Sequence, residues 1–491
     1  MLFTTEIKER DYKGQGTDKN SGDFIMSFNP IQRMESGVMN NETLFILILS
    51  FTTVLLGFIV IVMLIYINYI QRKMPSSVPG TPQKAVPKDM NYIGEQFSCS
   101  KKVLGHGSLG TVVFEGTALK RKVAVKRMVK EFFGLAENEI KIINMTDERP
   151  HLVRYYGSFS DDNFVYLAIT YCPYTLDDYL ERLEKEEVDM EKKRGKMILN
   201  EERIRLMKEC AIGIYHLHKL GIVHRDIKPF NVLVDAENGI RITDFGLAKK
   251  LDPQSSSFSN STTKGSVGWQ APEMLNETKR LSKAVDIFTL GCLFYYIGCR
   301  KHPYGEPLVR QNNILKGTPV KMEIENNNVY MSEFIQCFHA MNSYEPSQRL
   351  TIEKVLSQPL FWSFKKRLDF LQKASDLMII DKNVMVSRRL DNAGIVIHWD
   401  RDLSPLIIEN NTKFRYYDFN RTIDLLRLIR NQSHHYYTLQ QDEKDLYKSY
   451  PDGFYQYYQS KFPSLCVVVY STVLEFYADN PVFADFFEPN M

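Results

Sequence analysis

The chain is 491 residues long, enough for about three domains of ordinary size. Its formal net charge is only +3, so bulk charge gives no reason to expect a nucleic-acid partner, and any such site must be local. The seven cysteines (Cys99, Cys172, Cys210, Cys292, Cys299, Cys337 and Cys466) include no C-x-x-C pair, so neither a zinc site nor a redox motif is signalled, and scattered thiols suit a reducing compartment.

Residues 1–42 are polar, mixed in charge and without helical or strand period, and are expected to be a short disordered tail. The sequon Asn41-Glu42-Thr43 abuts the next segment and is read as unmodified. From Leu44 to Ile67 the chain is almost wholly apolar, broken only by Ser50, Thr52, Thr53 and Gly57. About 20 apolar residues cross a bilayer as a helix, and a buried core helix is rarely this long or apolar on every side. The run lies too far from Met1 for a signal peptide. Arg72 and Lys73 follow it at once, then Lys84 and Lys88, whereas Arg33 is the only base close before it. The positive-inside rule therefore places the C-terminal bulk in the cytosol. The expected order is a lumenal tail over 1–42, a transmembrane helix over 43–70 and a cytosolic linker over 71–96. Pro75, Pro79, Pro82 and Pro87 make that linker a semi-extended spacer.

Residues 97–364 carry the motifs of a protein kinase. His224-Arg225-Asp226-Ile227-Lys228-Pro229-Phe230-Asn231 reads H-R-D-x-K-x-x-N and resembles the kinase catalytic loop. In that layout Asp226 accepts the proton of an attacking hydroxyl, Lys228 steadies the phosphoryl group and Asn231 holds a metal ion. Ahead of it, Gly105-His106-Gly107-Ser108-Leu109-Gly110-Thr111-Val112 is G-x-G-x-x-G-x-V, in which glycines let a hairpin backbone close over nucleotide phosphates. Val123-Ala124-Val125-Lys126 follows as an alternating strand whose lysine can pair with those phosphates, and Glu139 is the candidate partner of Lys126. Phe164 to Ile169 is a strand leading to a hinge at Thr170 to Pro173, where the backbone reads adenine. The expected nucleotide contacts are Leu104, Gly105, Gly107, Gly110, Val112, Ala124, Lys126, Glu139, Ile169, Thr170, Cys172, Asn231 and Asp244, with ATP or ADP as nucleotide and Mg2+ on Asn231 and Asp244.

Glu184 to Lys196 is charge-dense and is read as a solvated insert or helix extension. Glu201 to Leu220 has apolar residues at helical spacing and should pack under the catalytic loop. Between Gly246 and Ala271 the polar stretch holds many serines and threonines; Ser257, Ser259, Ser261 and Thr262 are expected phosphorylation sites, because added charge can order the segment on a basic partner such as Arg225. Glu273 is expected to pair with Arg349 as an architectural ion pair.

The residues after Trp362 are too many for a tail and too rich in aromatic and branched side chains for disorder. Asp369 to Ile380 and Thr422 to Ile429 are helical in pattern, and Arg421, Arg427 and Arg430 surround the second. It ends on Arg430-Asn431-Gln432-Ser433-His434-His435-Tyr436. Taken alone the cluster has three readings. Two adjacent histidines are too few for a metal site and diverge on any regular backbone. They can be structural. They can also be the acid–base pair of phosphodiester cleavage, since histidine titrates near neutrality and arginine with asparagine stabilises a charged phosphate.

The order single span, kinase, then a helical domain with K-F-R-x-Y (Lys413 to Tyr417) and R-N-x-x-H-H-Y resembles the inositol-requiring kinase/endoribonuclease family of the unfolded protein response. Gly268-Trp269-x-Ala271-Pro272-Glu273, His302-Pro303-Tyr304-Gly305 and Phe361-Trp362-Ser363 are further matching pieces. The resemblance implies an α+β protein: one transmembrane helix, a bilobal kinase over 97–364 and an all-α kinase-extension nuclease over 365–488. It implies Ser/Thr autophosphorylation in trans and an RNase with no metal requirement that cuts RNA stem-loops. Tyr417 would help activate the ribose 2′-hydroxyl, His435 would protonate the departing 5′-oxygen, and Arg430 with Asn431 would grip the phosphate. It also implies a back-to-back homodimer with Asp147 and Arg154 at the interface, anchored in the endoplasmic reticulum membrane. Two departures stand out. Gln432 occupies a place where the family often has lysine, implying one lost phosphate or RNA contact. Residues 1–42 are too few for the family's lumenal sensor, so activation is expected through membrane stress, local concentration or a partner subunit.

Overall fold

The computed structural model describes residues 90–93, 97–107, 109–186, 197–252, 254–259, 265–275, 280–322, 328–395, 397–413 and 415–491. The expected tail, the apolar segment 44–67 and all of the linker but 90–93 lie outside them; among the described residues no helix is long and apolar enough to cross a membrane.

An antiparallel six-stranded sheet comes first. Its strands are β1 (Met90–Ile93), β2 (Phe97–His106), β3 (Val112–Ala118), β4 (Arg121–Val129), β5 (Tyr155–Ser160) and β6 (Phe164–Thr170), in the order β1-β2-β3-β4-β6-β5. The period of two in β4 divides its side chains: Val123 and Val125 join Cys99 and Ala168 in a small core, while Ala124 and Met128 join the main one. Helix α1 (Phe133–Thr146) separates β4 from β5 and packs on the turn Phe245–Leu247.

The second lobe is helical: α2 (Leu176–Glu186), α3 (Glu201–Lys219), α4 (Ala284–Cys299), α5 (Pro307–Lys316), α6 (Met331–Met341) and α7 (Ile352–Leu356). The Asn200 side chain caps α3 by accepting the Arg203 N–H at 2.9 Å. Apolar on nearly every side, α4 is accordingly the buried helix of this lobe. Of the charge-dense run, Glu184 to Glu186 complete α2, and Glu184 accepts from Arg300 at 3.0 Å; 187–196 lie outside the described residues.

From Phe364 onward the described residues form only helices and connecting turns: α8 (Phe364–Asp381), α9 (Val384–Asp391), α10 (Pro405–Thr412), α11 (Thr422–His434), α12 (Gln441–Tyr447), α13 (Asp452–Lys461), α14 (Leu465–Phe476) and α15 (Ala484–Phe487), with short 3-10 turns between. Their core is separate from the kinase core and is built on Trp362, Phe370, Trp399, Leu425, Ile429, Phe454 and Val469. The two cores meet at Arg367, fully buried, which donates to Glu333 of α6 at 3.1 Å and to the Pro359 carbonyl at 3.0 Å.

Candidate active sites

In the kinase cleft, β4 delivers Lys126 inward and α1 delivers Glu139 opposite it. Lys126 Nζ donates to both Glu139 oxygens at 2.8 Å and to Asp244 Oδ1 at 2.8 Å. Burial opposes a charge on Lys126, but the Glu139 and Asp244 carboxylates outweigh it and hold its pKa above the usual lysine value. Asp244 sits at φ +67°, a left-handed conformation rare for a residue with a side chain, and this turns its carboxylate into the cleft. Asn138, which the motif reading passed over, fixes the following turn: its Nδ2 donates to the carbonyls of Phe245, Gly246 and Ala248 at 2.9–3.2 Å.

The catalytic loop is held from below by Asp286, fully buried on α4. Its carboxylate accepts the N–H groups of His224 and Arg225 at 2.8 Å and the His218 ring nitrogen at 2.9 Å. Burial pushes the Asp286 carboxyl up, yet these donors, His218 foremost, bring it below the usual aspartate value. Asp226 Oδ2 accepts from Lys228 and Asn231 at 2.8 Å, and Oδ1 from the Ser266 N–H at 2.7 Å. A carboxylate accepts about four hydrogen bonds, so Oδ1 retains room for a substrate hydroxyl. Burial raises the Asp226 pKa, but Lys228 and Ser266 lower it further, leaving an ionised proton acceptor.

Lys126, Glu139, Asp226, Lys228 and Asp244 line one cavity of about 340 Å³, together with Leu109, Phe132 and Ser266. Above it the glycine loop turns at Leu109 (φ +55°) and Gly110 (φ +74°), and the Gly107 N–H closes on the Thr111 carbonyl at 2.8 Å. Gly105, on β2, is the register partner of Val113, and Val112 that of His106. Leu104 is partly exposed on β2. Ala124 and Ile169 are buried register partners on β4 and β6. At the hinge Thr170 gives its N–H to Arg154 O and takes the Arg154 N–H on its hydroxyl, while Cys172 is half-buried beyond. Asn231 Oδ1 and the second oxygen of Asp244 are oxygen donors of the kind a magnesium ion takes, so this donor set fits that ion.

Ser257 and Ser259 lie on a short strand paired with Arg280–Ser282; Ser261 and Thr262 lie outside the described residues. Ser257 Oγ accepts from Arg280 Nε at 2.8 Å, while the Arg225 guanidinium lies under the Phe258 ring, 5.5 Å from its centroid. Glu273 and Arg349 form a buried two-pronged pair at 2.6 and 2.9 Å.

In the helical domain the R-N-x-x-H-H segment is the end of α11. The first-turn N–H of Thr422 is satisfied by Asp391 Oδ1 at 2.9 Å, and Asp424 accepts the Asp418 N–H at 3.1 Å, which ties the preceding loop to the helix. That loop places Tyr417 against Trp399, nearly buried, with its hydroxyl accepting from Asn431 Nδ2 at 3.0 Å. Asn431 Oδ1 accepts in turn from Arg430 Nη1 at 3.0 Å, and Arg430 Nε donates to Asp376 Oδ1 of α8 at 2.6 Å. Asp376 went unnoticed in the sequence, where it is one acid among several on α8. The Arg427 guanidinium covers the Tyr417 ring at 4.5 Å. His435 caps α11 one turn beyond Asn431, its N–H on the Asn431 carbonyl at 3.1 Å, with its side chain exposed. Tyr417, Arg430 and Asn431 are thus joined through their side chains, and His435 is tied to Asn431 through the backbone. Gln432 is buried, and its Oε1 accepts from the hydroxyls of Tyr447 and Tyr458, so its side chain faces the core.

Residues 99–361 match the protein kinase domain family and residues 367–487 the ribonuclease 2-5A family. The probable serine/threonine-protein kinase ireA of Dictyostelium discoideum is 36% identical over 423 residues, covering 80% of this chain and 42% of that protein. The sensor for unfolded proteins in the ER ire1 of Schizosaccharomyces pombe is 35% identical over 422 residues, covering 79% of this chain and 39% of that protein. The human serine/threonine-protein kinase/endoribonuclease IRE2 is 34% identical over 394 residues, covering 77% and 41%. The chain spans about two-fifths of the length of these relatives. It therefore belongs to the protein kinase family, and the ribonuclease 2-5A domain behind its kinase makes it an Ire-type member.

Proposed function

We propose that the protein is a membrane-anchored dual enzyme of the endoplasmic reticulum stress response. Its kinase phosphorylates the activation segment of a second copy, and its C-terminal domain cuts RNA stem-loops once two copies pair. The apolar segment 44–67 would supply the anchor. In the kinase, Asp226 takes the proton of the attacking serine or threonine hydroxyl, Lys228 steadies the transferred group and Lys126 orients the nucleotide phosphates. Magnesium, held by Asn231 and Asp244, would neutralise phosphate charge.

The observation that carries the nuclease reading is the continuous network Tyr417–Asn431–Arg430 with exposed His435 one helical turn away. Tyr417 helps remove the ribose 2′-hydroxyl proton. The 2′-oxygen then bonds to phosphorus while the bond from phosphorus to the 5′-oxygen breaks. His435 protonates that 5′-oxygen, and Arg430 with Asn431 stabilises the phosphate. One product ends in a 2′,3′-cyclic phosphate, and no metal is required. Asp147 and Arg154 support the pairing reading. Both are half-exposed, and Arg154 is held only loosely within the chain, 3.8 Å from Asp147 and 3.2 Å from Glu148. Such exposed pairs are weak and can be exchanged for partners across an interface.

The full-length chain incubated with a stem-loop RNA and a metal chelator should cleave it. His435→Ala should abolish cleavage and Asp226→Asn should leave it intact. No cleavage by the wild type at high protein concentration would instead make the C-terminal domain a docking module behind a signalling kinase.

A further inference from the structure

Beside the Tyr417–Asn431–Arg430 network lies an open cavity of about 540 Å³, walled by Ile379 and Ile380 of α8 on one side and by Arg415 and Tyr416 on another. The Tyr416 ring is 83% exposed and Ile380 is 78% exposed, an unusual outlay of apolar surface at a polar site. The backbone that carries the ring is fixed: the Tyr416 carbonyl accepts from the Arg427 guanidinium, whose other nitrogen is 3.1 Å from Asp424. Arg415 is exposed, with no ion pair among the described residues. An exposed ring on a tethered backbone, an aliphatic wall and arginines at the rim are the complement of a nucleotide whose base has left its stack. The ring and Ile380 take the base and Arg415 takes a flanking phosphate.

We propose that Tyr416 is the stacking platform for an unpaired base next to the cleaved bond, so that this site selects single-stranded loop nucleotides over paired ones. The proposal rests on the nuclease reading above and adds to it a residue outside the reacting set.

The test uses the full-length chain and stem-loop RNAs intact, or abasic at either nucleotide flanking the cut. Stacking of one base on an aromatic side chain is worth about 1–3 kcal/mol, or roughly 5- to 150-fold. Tyr416→Ala should lower kcat/KM on intact RNA within that range, and Tyr416→Phe should restore it. Removing the base at one flanking position should cost the wild type the same factor and Tyr416→Ala nothing. Equal losses for both proteins on the abasic RNA, or no effect of Tyr416→Ala on intact RNA, would overturn the proposal. If the wild type cleaves no RNA the nuclease reading fails. The platform is then decided by binding alone: a 2-aminopurine base at that position should be quenched by the wild type and not by Tyr416→Ala, and equal quenching would overturn it.

Discussion

The junction between kinase and nuclease should respond to substitution in a way that depends on which partner is lost. Arg367 has no exposed surface and Glu333 only 1%. Besides Glu333, the guanidinium donates to the carbonyls of Pro359, Val329 and Leu360 at 3.0–3.4 Å, and the rings of Tyr330, Phe364 and Tyr455 lie within 5.3–5.9 Å of it. Glu333 also accepts from Gln459 of α13 at 3.4 Å. Removing one member of a buried pair strands the other charge away from water and costs about 3–5 kcal/mol. Replacing both with apolar side chains of similar volume is often neutral or stabilising, because neither charge then needs desolvating. Against a total stability of roughly 5–15 kcal/mol, Glu333→Leu should therefore weaken folding severely, while Glu333→Leu combined with Arg367→Met should recover most of the loss. Urea unfolding of the full chain reads this directly, since the midpoint moves while the slope stays fixed. RNA cleavage by the folded fraction should fall in the single variant, because α6 and α13 no longer share a rigid contact. A single variant within about 1 kcal/mol of the wild type would refute the reasoning.

The same lobe holds a proton-sensitive group, and a second prediction concerns the catalytic loop. Burial, aided by the Arg310 charge, pushes His302 down to about 2. Unfolded chains bind the histidine proton near pH 6.5, so stability is full above that value and falls as pH drops below it. From about pH 7.5 to about pH 5.5 this group alone should cost about 1.4 kcal/mol. His302→Asn keeps an acceptor for the Tyr304 N–H and should flatten that part of the stability-against-pH curve; an unchanged slope would count against a neutral buried ring. At Gly265 an added Cβ would stand 2.4 Å from the Arg225 carbonyl oxygen, so Gly265→Ala must displace the segment that gives Ser266 N–H to Asp226. Autophosphorylation should drop by about 100-fold, the scale of an ångström-sized misplacement, with RNA cleavage unchanged; equal loss of both activities would indicate general unfolding instead.

How much of this was legible in the chain differs between the domains. Kinase motifs are local and carry their geometry with them: the β4 alternation fixes which way Lys126 points, and the contacts Lys126–Glu139 and Glu273–Arg349 follow from motif order. Helices over Glu201–Lys219, Phe364–Asp381 and Thr422–His434 were visible as apolar periodicity, with ends displaced by a few residues where the terminal turns, such as Phe364 to Leu368 and Arg430 to His434, carry polar residues that blur the period. Asn138 and Asp376 were not legible, since their importance lies in contacts made 107 and 54 residues away. The inward turn of Gln432 was not legible either, since it depends on Tyr447 and Tyr458, 15 and 26 residues further on. Ser257 finds its basic partner in Arg280, 23 residues further on, which no motif singles out.

Lys126 grips two acids at once, and one of them, Asp244, is also a proposed ligand of magnesium. A triphosphate taken up as proposed would have to draw the ammonium away from Asp244, and the carboxylate so released could then turn to a cation. Nucleotide and ion should consequently enter as mutually reinforcing guests, each weak alone. Loading the cleft would then be an exchange of charge partners.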